Sequence, residues 1–412
     1  MMNSRFFSDS KVNTGRQQEL DLLKALCVVG MIFVHVLLDL GKKVMPGVVD
    51  DYLTEFFGGA TFMISMGIGM CYMRRQTPSS YLIRGFGLLT IGQFLNILRN
   101  CLPNLIGYWV TGRQFFISNS LLILQADILT FAGLSFLLMA LFKRLRLKNG
   151  AILLISVVMS LIALVMWRAL PAPYSWFVKP THDSYLVSQM LAFFVITNAE
   201  SYFPLFCYFV FVAFGYFIGG YYPRIRDKDA LANRIMAVCF PLAAIYYVCR
   251  FTMKMSVLPE LGSDLQYSMK PTPDAIATCL FTLGFLALLY KFVKLIGGKL
   301  PGFVTHFSTN INSYYCLSYL FILPVQTVLI ALTGQLFPGK IIPIVYSFFV
   351  VFACYALIEL NERYWHIHFA TLKGAKMIVF TVSVWIATVA IIVYAYPRIT
   401  EFANIWNEYL LP

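Results

Sequence analysis

Apolar runs of about 18 to 25 residues recur along this chain with short polar connections, and that is the length an α-helix needs to cross the ~30 Å hydrocarbon core of a bilayer. Membrane β-strands need only ~10 residues and alternate apolar with polar positions, which these runs do not. The runs fall at 22–40, 56–73, 82–98, 124–142, 151–167, 203–221, 235–253, 275–293, 311–332, 341–360 and 377–396. The expected fold is therefore all-α, a polytopic membrane helix bundle of about eleven transmembrane helices. Composition agrees: 59% of residues are hydrophobic and 12% charged, and mean hydropathy is +0.73, more than a soluble domain can bury.

Segment 1–19 is polar and leads straight into a full-length span, so no cleavable signal peptide is expected. Lys and Arg gather in short cytoplasmic loops. Here they cluster on one side of the runs: Arg5, Lys11 and Arg16; Arg74, Arg75 and Arg84; Lys143, Arg144, Arg146 and Lys148; Arg224 to Arg234; Lys291 to Lys299; and Arg363 to Lys376. Fewer fall on the other side, among them Lys43, Arg99, Arg113, Arg168, Arg250 and Lys270. The N-terminus is expected in the cytoplasm and the C-terminus outside. The net charge of +13 is then mainly a topology signal. It gives no support to nucleic-acid binding, because no soluble basic domain exists to carry it.

The chain reads as one membrane domain, 1–412, with a cytoplasmic segment 1–19 and an external segment 397–412. The longest non-spanning stretches, 99–123, 168–202 and 254–274, are assigned to the outer face. Of these, 168–202 is rich in Pro and aromatic residues and suits a lid or acceptor-binding loop as well as a plain connector. In "QFFISNSLLILQADIL" a short interfacial or re-entrant piece precedes the fourth helix. The nine cysteines lie singly, almost all within spans, and read as small buried hydrophobes. No CxxC or Cys/His cluster has metal-ligand spacing, so neither disulfides nor a metal are expected.

His35 is the histidine that sits within a span, and an ionisable group there is costly enough that function is the default reading. Asp39 lies at i+4 on the same helix face, where a carboxylate can orient the ring and support an imidazolium, directly or through water. That is what a general base needs. At ~1.5 Å per residue His35 lies roughly 20 Å into the helix, past the midplane toward the outer face. Gln93, Asn96, Gln125, Asp127 and Arg250 are further polar groups at membrane depth and suggest a polar chamber for substrate. The small residues of "GGATFMISMGIGM" read as a close helix-packing face. Arg74, Arg75 and Arg84 follow it, as either topology charges or phosphate ligands.

Several stretches resemble one family. "RQQELDLLKALCVVGMIFVHVLLDL", "TFMISMGIGMCYMRR", "LLILQADILTFAGL", "ESYFPLFCYFVFVAFGYFIGG" and "HFSTNINSYYCLSYLFIL" resemble, in that order, bacterial membrane proteins related to heparan-α-glucosaminide N-acetyltransferase. The resemblance implies ten or eleven helices, acetyl-CoA (acyl-CoA) as cytosolic co-substrate and no metal. It implies acyl transfer to an amine or hydroxyl of a sugar or glycoconjugate at the external face. His35 would be the base and Asp39 its orienter, with a covalent acyl-histidine as the alternative route. Arg74, Arg75 and Arg84 would hold CoA phosphates, and Asn312 or Ser313 would contact the pantetheine or the oxyanion. Lys24 stands where the broader membrane acyltransferases carry Arg, which keeps the charge without the planar fork. The implied setting is the bacterial inner (cytoplasmic) membrane, among membrane lipids, and a homodimer is compatible with it. The rival reading is a proton-coupled transporter or flippase in which His35 and Asp39 relay protons. The absence of an internal repeat weakens it.

Overall fold

The computed structural model describes residues 6–41, 59–169, 184–195, 202–252, 271–339, 341–366 and 375–400. Among them the structure is helical: α1 Gln18–Asp39, α2 Thr61–Cys71, α3 Pro78–Asn96, α4 Leu102–Thr111, α5 Gln114–Asn119, α6 Ile128–Arg144, α7 Asn149–Ala169, α8 Tyr185–Phe194, α9 Leu205–Tyr221, α10 Lys228–Thr252, α11 Thr272–Leu295, α12 Gly302–Thr309, α13 Ile311–Thr333, α14 Ile341–Leu360 and α15 Ala375–Ala395. Extended pairing among the described residues is confined to the isolated bridges Phe7 to Ile225 and Gly41 to Phe337. Among the described residues ten helices are long and apolar enough to cross a membrane. The run expected at 56–73 appears as α2, and part of it lies outside the described residues.

Helix α1 is the axis of the molecule, packed against α2, α11, α12, α13 and α14. Around it α3 pairs with α6, α2 with α9, α9 with α7, α10 with α11 and α13 with α14. By contrast α10 and α15 leave most of their surface outside the bundle, and their exposed Ile, Val, Leu and Trp side chains suit hydrocarbon.

The small-residue face behaves as a packing surface. A Cβ added at Gly67 would collide with the carbonyl oxygen of Val212, and one at Gly215 with that of Ile64. Backbone meets backbone across the α2–α9 seam, which is how small residues join helices where lipid removes most of the hydrophobic driving force. Replacing Gly67 by Ala is expected to force the helices apart and to cost roughly 1–3 kcal/mol. Thermal unfolding of the detergent-solubilised protein checks it, since Gly69, where an added Cβ would meet open space, should tolerate the same change.

The stretch 99–123 is not an outer loop. Past Asn96 the backbone widens into a π-helical turn, residues 97–101, and continues as α4, so that an unbroken helical rod of 34 residues runs from Pro78 to Thr111. Gly112, at φ 69°, ends it in the left-handed conformation glycine adopts without strain. The chain then returns through α5 and a 3₁₀ turn, residues 120–124, before α6. Both returning pieces are buried, so the short piece expected before the fourth helix dips into the protein. The lid reading of 168–202 and the stretch 254–274 fall largely outside the described residues, as does His182.

Candidate active site

The break in the returning helix is where polar residues collect. Between Ser120 and Asp127 the backbone leaves the α-conformation, and carbonyls freed at membrane depth must find partners within the protein. The side-chain amides of α3 and its π-helical turn supply them. Gln93 Nε2 donates to the Ile123 oxygen at 2.9 Å, Asn96 Nδ2 to the Gln125 oxygen at 3.1 Å and Asn100 Nδ2 to the Leu122 oxygen at 3.3 Å. Asp127 then caps α6, its Oδ1 accepting from the backbone N–H groups of Leu129 at 3.0 Å and Thr130 at 2.9 Å.

The structure thus brings Gln93, Asn96, Gln125 and Asp127 together, around a residue that linear reasoning placed on the outer surface. Arg99 is 1% exposed. Its guanidinium donates to Asn96 Oδ1 at 3.1 and 2.8 Å and to Asp127 Oδ2 at 2.9 Å. Tyr315 also donates its hydroxyl to Asp127 Oδ2, at 3.1 Å. A buried charge survives only when paired and hydrogen-bonded in this way. Positive-inside counting assigns flanking charges and has no means of finding an arginine whose partners beyond its own helix come from two other segments.

Over the guanidinium lies the ring of Tyr319, its centroid 4.2 Å from Arg99 Cζ. The Tyr319 hydroxyl is 2.9 Å from His35 Nδ1 and 3.1 Å from Nε2. Asp39 Oδ2 stands 4.0 Å from Nδ1, beyond hydrogen-bond reach, so the expected His35–Asp39 pair is an electrostatic neighbourhood with tyrosine as the direct partner. The series Asp127, Arg99, Tyr319, His35, Asp39 is continuous. The His35 side chain keeps 24% of its surface exposed although α1 is the central helix. Tyr315 and Tyr319 are spaced i, i+4 on α13, a sequence signal for one helix face that was open to reading.

The other expected residues lie apart from this series. Arg74, Arg75 and Arg84 are exposed around the connection from α2 to α3. Lys24 is half-buried on α1 and makes no hydrogen bond or ion pair among the described residues. Asn312 and Ser313 are exposed in the first turn of α13, ~10 Å along the axis from Tyr319. Arg250 on α10 pairs with Asp274 of α11 at 3.2 Å. All nine cysteines are free.

A bundle of lipid-length helices around a histidine backed by tyrosine and a buried Arg–Asp pair defines an integral membrane protein with titratable groups in its interior. The model of the family described as heparan-alpha-glucosaminide N-acetyltransferase, catalytic, matches residues 16–250, more than half of the chain, and the chain belongs to that family of membrane N-acetyltransferases. No curated protein and no solved structure matches it. The matched segment contains His35, Arg99 and Asp127, whereas Tyr315 and Tyr319 lie beyond it.

Proposed function

We propose that the chain, acting as one membrane domain over 1–412, transfers an acyl group, acetyl by preference, from acyl-CoA to an amine or hydroxyl of a sugar or glycoconjugate. In this reading the N-terminus and Arg74, Arg75 and Arg84 face the cytoplasm of a bacterial cell, the acceptor arrives from the external face, and membrane lipids and a second copy of the chain are its neighbours. The observation that carries it is the partly exposed His35 ring held 2.9 Å from the Tyr319 hydroxyl.

The chemistry follows from that geometry. With Nδ1–H donated to the Tyr319 oxygen, the lone pair sits on Nε2. There it removes the acceptor proton as the acceptor nitrogen or oxygen attacks the thioester carbonyl. The C–S bond then breaks, and the CoA sulfur leaves with the proton that His35 held. Asp39 favours the transient imidazolium, and Arg99 against the Tyr319 ring holds the hydroxyl that holds the imidazole in place. Gln93, Asn96, Gln125 and Asp127 build the chamber wall, as capping and counter-charge groups. Arg250, paired to Asp274, borders it on the acceptor side. Lys24 and the exposed arginines attract the CoA phosphates, and Asn312 and Ser313, at a helix mouth, suit the pantetheine better than the oxyanion.

Purified protein given acetyl-CoA and an amino-sugar or glycan acceptor should release CoA thiol with no ion gradient present. Solute uptake that needs a proton gradient, without CoA release, would make the protein a transporter. Replacing both Arg74 and Arg75 by Ala should raise the KM for acetyl-CoA severalfold with kcat little changed, as expected when uniform binding is lost. An unchanged KM returns those arginines to topology alone.

A further inference from the structure

A second cluster sits at the end of the bundle where α1 begins. There α12 packs on α1, and Ser308 donates its hydroxyl to Asp21 Oδ1 at 2.9 Å. His306, of the same short helix, turns its Nε2 toward two carboxylates at the end of α14 and in the turn beyond it. It lies 3.6 Å from Glu359 Oε2 and 3.7 Å from Glu362 Oε2. These three donor atoms lie within 4.8 Å of one another.

Each donor is aimed by a further contact. His306 Nδ1 is 2.8 Å from the Tyr314 hydroxyl. Glu362 accepts from Asn310 Nδ2 through Oε1 at 2.8 Å. Glu359 accepts from Arg363 Nε and Nη2, also through Oε1, at 3.0 and 2.7 Å. In both carboxylates one oxygen is committed and the other, Oε2, faces the imidazole. That is the pattern by which outer contacts orient metal ligands.

The imidazole nitrogen between them has carboxylates at ion-pair distance and no hydrogen-bond partner. Nε2 is buried and forms no hydrogen bond, and the His306 side chain is 11% exposed. Buried polar atoms are almost always satisfied. If Nδ1–H is donated to Tyr314, the Nε2 lone pair confronts two carboxylates. In the other tautomer an N–H points at oxygens too distant to accept it. A cation in the space between removes both difficulties. Donors ~2.1 Å from one ion at tetrahedral angles stand roughly 3.4 Å apart, so the two separations from the imidazole, 3.6 and 3.7 Å, need a closure of a few tenths of an ångström.

We propose that His306, Glu359 and Glu362 bind one first-row divalent cation of the zinc class, tying α12 to the end of α14. One imidazole with two carboxylates suits such an ion better than the all-oxygen shells of magnesium or calcium. Linear spacing hides the set, because His306 lies on a different helix from the two glutamates. The proposal does not depend on the chemistry assigned to His35.

The test uses the full-length chain purified in detergent and stripped with a chelator. Calorimetric titration with Zn²⁺ should show one ion per chain, and the ion should raise the unfolding temperature. His306→Gln and Glu362→Gln should each weaken binding at least ~10-fold and abolish the thermal shift, with Asn310→Ala weakening it less. Glu362 is 41% exposed, so its variant should fold and carries the test even if His306→Gln does not. Co²⁺ substitution should give visible d–d bands without a thiolate charge-transfer band. Failure of the stripped protein to bind Zn²⁺, wild-type binding by Glu362→Gln, or a thiolate band placing the ion on a cysteine would each overturn the proposal.

Discussion

His35→Ala is expected to lower acyl transfer by at least ~100-fold, the usual cost of losing a general base, in a protein that still inserts and still binds acetyl-CoA. His35→Asn should resemble it, because asparagine keeps hydrogen bonding but has no titrating nitrogen. Asp39→Asn should lose less, since the carboxylate stands 4.0 Å from Nδ1 and acts only through its charge. Tyr319→Phe keeps the ring over Arg99 and removes only the hydroxyl 2.9 Å from His35. Its expected loss is ~10-fold in kcat, the worth of one well-placed hydrogen bond, with the KM for acetyl-CoA unchanged. Rates come from CoA release, and calorimetry of CoA binding establishes that each variant is folded. A folded His35→Ala protein that transfers acetyl at near wild-type rate would make the histidine a structural group.

The second large effect concerns stability. Arg99→Met should destabilise the protein by ~3–5 kcal/mol, because it leaves Asp127 charged and buried with its cation gone, and removing one member of a buried pair costs more than the pair contributes. The damage should reach further than the ion pair. Asn96 Oδ1 and Gln125 Oε1 lose a donor, and Tyr319 loses the cation beneath its ring. The double change Arg99→Met with Asp127→Asn should recover part of the loss, since the asparagine still caps α6 and carries no charge. Denaturant or thermal unfolding of the wild type and the two variants measures this. Equal stability of Arg99→Met and wild type would remove the pair from any role in holding the helix break.

Much of the architecture could be read from the chain alone, for a physical reason. In hydrocarbon each spanning segment must satisfy its own backbone, so helix length and apolarity are local properties and show in sequence as runs. α1 with His35 and Asp39 on one face, the close-packing small-residue face of α2 and the re-entrant piece before α6 were legible in the sequence. The motif order that pointed to the N-acetyltransferase family was legible too. Partnership was not. Arg99 was read as an outer-face charge because counting rules see only position relative to a span, whereas its burial depends on Asp127, Tyr315 and Tyr319 arriving from elsewhere. Tyr319 becomes the neighbour of His35 only when α13 packs on α1. His306 meets Glu359 and Glu362 only because α12 and α14 both pack on α1, near its first turns. The chain by itself determined a membrane bundle, its family and the helix that carries the histidine. The tertiary structure decided which groups surround that histidine, because side-chain pairing at membrane depth is fixed by helix packing across the bundle and leaves no period or spacing in the linear order.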